Sequence, residues 1–275
     1  MNWKDEWAKI ETRWKAWWRG FKGQAGQAAG KTRPAVATGR LPNPSLASCW
    51  DGASAIRRMM NILSPKMAEA TFEERVAWMA ARGCNTAHVL LINKGDGETS
   101  GYNCATDEST AKIARARMAT LRQRGFCVVP WIIADDSAAW AEDLFSHAGE
   151  RVGALAAAGL FDGAGAVVMG LEMDEPGSFP GGDKGWPKVR SAIREHWTGP
   201  IGVHHCSGNS FPYASLGDIV FGQLDEGASE KAIKAQIAAI RAKGKTAFGF
   251  EYSRTADRKR AQWALDAGAV GVGNY

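Results

Sequence analysis

The chain has 275 residues, 45% of them hydrophobic, and a formal charge of +5. That size suits one large domain. No apolar run approaches the ~18 residues of a membrane span, and the N-terminus (Met1-Asn2-Trp3-Lys4-Asp5-Glu6) lacks the apolar stretch of a signal peptide. The charge is uneven: residues 1–45 sum to +6 and the rest to −1, which argues against nucleic acid as the partner of the main domain.

In chain order, the first feature is a stripe of Trp3, Trp7, Ile10, Trp14, Trp17 and Phe21 at spacings of 4, 3, 4, 3 and 4. This predicts an amphipathic helix over residues 1–22. Three uses stay open for it: docking on the outside of the domain, self-association or attachment to a larger assembly, and contact with a membrane surface. Residues 23–45, rich in Gly, Ala, Gln and Pro, read as a flexible connector.

From residue 46 to 275 eight strand candidates follow one another: Leu46–Asp51, Thr86–Ile92, Phe126–Ile133, Ala166–Met173, Pro200–His205, Asp218–Leu224, Lys245–Glu251 and Ala269–Gly273. Helix-period segments separate most of them: Phe72–Arg82, Glu108–Arg124, Ala138–Ala158, Trp186–Trp197, Ser229–Ala242 and Ala256–Ala267. Several junctions share one form, a helix end, then glycine, then an apolar strand (Arg82-Gly83, Arg124-Gly125, Lys243-Gly244, Ala267-Gly268). Such alternation predicts an α/β fold, a (β/α)8 TIM barrel with the extra N-terminal helix. The fifth crossover, Cys206–Gly217, is too short for a full helix, and the chain stops after strand eight, so no eighth helix is expected.

In such a barrel the strand carboxyl ends converge on one mouth. Here those ends carry Trp50 and Asp51; Asn93 and Lys94; Trp131 with Asp135 and Asp136; Glu172, Asp174 and Glu175; His204 and His205; Asp225 and Glu226; Glu251 and Tyr252; and Asn274 and Tyr275. Carboxylates at the ends of core strands point to an acid/base site. Strand alternation puts Glu172 and Asp174 on one inward face; a bulge or the strand's end would be needed to bring Glu175 inward.

The pair Asp174-Glu175-Pro176, closing the fourth strand, and Glu251, closing the seventh, resembles the retaining glycoside hydrolases of clan A. Those are (β/α)8 barrels with an Asn-Glu-Pro-like sequence after strand four and a second glutamate after strand seven. The resemblance implies Glu175 as general acid/base and Glu251 as nucleophile, a carbohydrate substrate and no cofactor or metal. It departs at Asp174, where the family has Asn. Trp50, Trp131, Tyr252 and Tyr275 would then offer flat faces to sugar rings, and Asp51, Asp135, Glu172, Asp174, His204, His205, Asp225 and Glu226 hydrogen-bonding groups. The Glu-x-Asp-Glu cluster also looks like a shortened form of the acidic strand of chitinase-like barrels.

Two rival functions stay open. Acids from strands four, six and seven with the strand-five histidines could ligate a divalent cation, as in a sugar isomerase or phosphoesterase barrel; strand one has no His-x-His of the amidohydrolase kind. A catalytically silent carbohydrate-binding or structural barrel is the other. The five scattered cysteines read as reduced thiols of a cytoplasmic protein.

Overall fold

The computed structural model describes residues 46–47, 60–81, 84–95, 99–175, 177–206, 210–224, 227–250 and 258–273. The expected helix over 1–22 and the connector 23–45 lie outside the described residues.

Among the described residues nine strands form one sheet: β1 (Leu46–Ala47), β2 (Thr86–Asn93), β3 (Tyr102–Asn103), β4 (Cys127–Ile133), β5 (Val167–Gly170), β6 (Ile201–His205), β7 (Ile219–Gln223), β8 (Thr246–Phe250) and β9 (Gly271–Val272). Their order is β1-β9-β8-β7-β6-β5-β4-β2-β3. Every pairing is parallel except that of β3, which folds back antiparallel on the end of β2 (Ile92 opposite Asn103). All eight predicted strands are present at their predicted places. β3 was not predicted, because two residues carry no readable period.

Seven helices accompany the sheet among the described residues: α1 (Glu69–Ala81), α2 (Glu108–Gln123), α3 (Ala138–Ser146), α4 (Ala148–Ala157), α5 (Gly182–His196), α6 (Glu230–Ala242) and α7 (Arg258–Asp266). Asp107 caps α2, its carboxylate accepting from the Ser109 and Thr110 amides at 2.9 and 3.2 Å, and Ser229 caps α6 through the Ala232 amide. Gly125, Gly244 and Gly268 take positive φ after α2, α6 and α7, as the repeated junction predicts. The segment expected to be one helix over 138–158 is two. It breaks at His147, whose ring bonds the Asp143 carboxylate at 3.1 Å while Arg151 takes the same carboxylate from the next helix. None of these helices is long and apolar enough to cross a membrane.

The sheet curls on itself, and the side chains inside it prove this. His88 on β2 packs its ring 5.9 Å from Phe221 on β7 and 5.6 Å from Phe248 on β8. In a flat sheet the five steps from β2 to β8 would span about 24 Å at ~4.8 Å per strand. Trp131 fills the centre, 5.1 Å from Phe221 and 5.5 Å from His204. Outside the sheet, Trp186 of α5 is fully buried against Phe145 and Phe179, and Gly170 leaves the room that its indole occupies.

Cys104, Cys127 and Cys206 are free thiols.

Candidate active site

The carboxyl end of β4 delivers Asp135. The ladder continues one residue past the strand, with the Ala134 amide donating to the Ile92 carbonyl at 3.0 Å, and a short 3-10 turn over Asp135–Ser137 follows. Ser137 is fully buried, and its hydroxyl accepts from the Lys94 amide at 2.9 Å. The ends of β2 and β4 are thereby tied together, and Asp135 starts from a fixed backbone.

The end of β5 delivers the glutamates by a different route. The strand stops at Gly170, yet the Leu171 amide still reaches Ile133 on β4, and the Met173 amide reaches His204 on β6, each at 3.0 Å. Between them Glu172 takes φ of 49°, a left-handed conformation that side chains beyond glycine rarely adopt. Its amide donates to Nδ1 of His204 at 2.8 Å. The chain then turns, and the Glu175 amide donates to the Glu172 carbonyl at 2.9 Å.

This turn breaks the strand parity on which Glu172 and Asp174 share a face. Glu172, Glu175 and Asp135 come together, with carboxylate oxygens all within 4.8 Å of one another and each side chain half-buried. Asp174 instead accepts from the Cys206 amide at 2.7 Å, fastening the turn to the segment after β6. The Ser178 hydroxyl donates to Oε2 of Glu175.

Three residues expected to touch sugar are placed elsewhere. Trp131 is fully buried and its Nε1 donates to Nδ1 of His88 at 3.1 Å; with His88, His204 and Phe221 around it, no ring face is left for a ligand. His204 is fully buried and spends Nδ1 on the Glu172 backbone. His205 is also fully buried; its Nε2 accepts from the Tyr213 amide at 3.0 Å, and its ring lies between Phe211 and Tyr213. Burial holds all three histidines neutral: His88 is lowered to about 3, His205 to about 4 despite the nearby Asp174 carboxylate, and His204 well below its ordinary range. Trp50, Asp51, Asp225, Glu226, Glu251, Tyr252 and Tyr275 lie outside the described residues.

Of the residues that the sequence did not single out, Ser178 meets Glu175, and Gln223 shares the inward face of Phe221 on β7. Ser178 was hidden because a serine in a Gly-rich turn carries no pattern, although its position three after Glu175 suits a turn contact. Gln223 ends β7 two residues after Phe221, so the pleat gives both the same inward face. Its Oε1 is buried without a hydrogen-bond partner among the described residues. Strand alternation was the signal for Gln223, overshadowed by the acids that follow it.

No family model matches the chain, and no curated protein matches it. Solved structures do. A glycoside hydrolase family 5 protein from Bacteroides vulgatus superposes with a TM-score of 0.59 at 14% identity, over 82% of this chain and 57% of that one. A beta-glucosidase superposes with a TM-score of 0.52 at 13% identity, over 83% and 88%. The fold is that of glycosidase barrels. It is also the fold of a mandelate racemase/muconate lactonizing enzyme-like protein from Rubrobacter xylanophilus, with a TM-score of 0.50 at 12% identity over 83% and 56%. At such identities the likeness is one of architecture, and the chemistry rests on the residues at the mouth.

Proposed function

We propose that the chain is a glycoside hydrolase of the retaining kind, built on a closed (β/α)8 barrel, with Glu175 as general acid/base and Glu251 as nucleophile. The observation that carries this reading is the convergence of Glu175, Glu172 and Asp135 at the carboxyl ends of adjacent parallel strands, on a fold shared with glycosidases. Glu251 is the residue that follows β8, the seventh parallel strand in chain order.

The chemistry assigns each acid a task. Glu175 gives its proton to the glycosidic oxygen as the bond to the anomeric carbon breaks, and the Glu251 carboxylate forms an ester with that carbon. Glu175, now ionised, takes a proton from water, which displaces Glu251. The Ser178 hydroxyl on Oε2 of Glu175 leaves Oε1 to face the leaving oxygen. Asp135 and Glu172 accept from sugar hydroxyls beside it, and Gln223 offers a further acceptor. Trp50, Asp51, Asp225, Glu226, Tyr252 and Tyr275 remain assigned to the substrate; Trp131, His204 and His205 do not.

A 2-deoxy-2-fluoro glycoside tests the assignment. Mass spectrometry of the digested protein is expected to find the sugar esterified to Glu251. Inverted product configuration with no adduct sinks the retaining mechanism. Glycan binding without any turnover by the unaltered protein leaves a carbohydrate-binding barrel.

The three-carboxylate cluster favours one second reading, a divalent cation held by Asp135, Glu172 and Glu175. Elemental analysis of the purified protein separates the two. One Mg²⁺ or Mn²⁺ per chain, with activity lost to a chelator and restored by the metal, replaces the metal-free account.

A further inference from the structure

We propose that His204 is a positioning residue, whose ring holds the backbone of Glu172 in the left-handed turn that sets Glu172 and Glu175 beside Asp135. This rests on reading that cluster as the active site, and it assigns His204 to the backbone instead of to the substrate.

Two adjacent amides meet one residue. The Met173 amide donates to the His204 carbonyl as an ordinary ladder bond, and the Glu172 amide donates to its ring at 2.8 Å. A non-glycine residue at φ of 49° costs on the order of 1–2 kcal/mol, so the turn needs a fixed partner to persist. His204 is such a partner. It is fully buried inside the curled sheet, with the Trp131 ring set edge-on at 5.5 Å. Accepting the Glu172 amide requires a lone pair on Nδ1, which leaves Nε2 as the ring nitrogen that carries the proton.

The effect passes forward through the chain. The Glu172 carbonyl accepts the Glu175 amide at 2.9 Å, so the orientation of the Glu172 peptide sets where Glu175 begins. If Glu172 relaxed to a negative φ, its side chain and the start of the turn would swing, and the approach of Glu172 and Glu175 to Asp135 would be lost. Extended β5 geometry alone would send Glu172 and Asp174 to one face; the His204 contact is what accompanies the departure from it.

The test compares His204→Phe, which keeps a ring and removes the acceptor, with His204→Asn, whose amide oxygen sits close to the place of Nδ1. Crystal structures are expected to show Glu172 at negative φ and the three carboxylates separated in His204→Phe, and the original turn in His204→Asn. Hydrolysis by His204→Phe is expected to fall roughly 10–100-fold in kcat with KM little changed, as for a misplaced catalytic group, and His204→Asn to recover most of it. If His204→Phe does not fold, ¹⁵N NMR of the unaltered protein decides: the proposal requires His204 bare at Nδ1 and protonated at Nε2 between pH 6 and 8. A protonated Nδ1, or Glu172 still at positive φ with the cluster intact in His204→Phe, overturns it. Absence of hydrolysis by the parent would sink the glycosidase reading alone, because φ and tautomer are read without substrate.

Discussion

The rings of His88 and Phe248 stand 5.6 Å apart, although five strand-to-strand steps separate β2 from β8 in the sheet. This contact spans the interior of the curled sheet. Phe221 joins both rings, 4.7 Å from Phe248, so the inside of the sheet is a packed core and not a channel. Phe248→Ala removes the ring that bridges this gap and is expected to cost about 3–5 kcal/mol in urea unfolding.

Trp131→Phe separates the core role of the indole from a sugar-binding role. The ring volume largely stays, but Nδ1 of His88 loses its donor, and about 1–3 kcal/mol of stability should go with it. Affinity for glycans, measured by calorimetric titration, should not change. Weakened glycan binding at unchanged stability would return Trp131 to the binding face.

Stability should fall as the pH drops below 6.5. His88, His204 and His205 are lowered by burial in the folded chain and titrate near 6.5 once it unfolds. Below 6.5 the unfolded chain therefore binds more protons than the folded one, and stability is lost as pH falls toward the folded values, about 4 for His205 and about 3 for His88. Three protons give a slope of up to about 4 kcal/mol per pH unit. Thermal unfolding at pH 7.5, 6.0 and 5.0 measures it, and a flat profile would contradict the buried neutral histidines.

Arg117 should not tolerate lysine. Its buried guanidinium donates to the carbonyls of Ile62, Ser64 and Met67 at 3.0, 2.5 and 2.6 Å, meets Glu69 at 3.3 Å and lies over the Phe72 ring. A lysine ammonium cannot reproduce that fork. Arg117→Lys is expected to cost on the order of 3 kcal/mol by leaving carbonyls of the 62–67 segment unpaired, seen as a lower urea midpoint.

Glu175→Gln keeps the side-chain shape and removes the proton-transferring group. Hydrolysis should fall about 10²–10⁴-fold, with little change in Tm because the side chain is half-buried beside other acids. Substrates with good leaving groups, such as dinitrophenyl glycosides, should lose far less in the first step. An equal loss on every substrate would argue against the acid role.

Much of this architecture was legible in one dimension. Apolar runs such as Ala166–Met173 and Asp218–Leu224 alternate with helix-period segments, and glycines mark the joints, so eight strands and their order of use could be read directly. That reading works because strands such as β2 and β6 bury both faces, and burial leaves a period in the sequence. Only the resemblance to clan A glycosidases pointed to Glu175, at the end of the fourth parallel strand; parity alone favoured Glu172 and Asp174 as readily.

What only the tertiary structure decided is which way particular side chains face. Glu172 and Asp174 share a parity in an extended strand, but a single left-handed residue held by His204 sends Asp174 to the Cys206 amide and joins Glu172 to Glu175 and Asp135. Trp131, His204 and His205 sit at or near strand ends, where polar and aromatic residues suggest a binding surface, yet their ring nitrogens are committed to partners 8 to 43 residues away. A strand's period follows from local sterics and is written in its sequence. A hydrogen bond between β5 and β6 depends on where the sheet curls, and only the folded chain brings its two halves together.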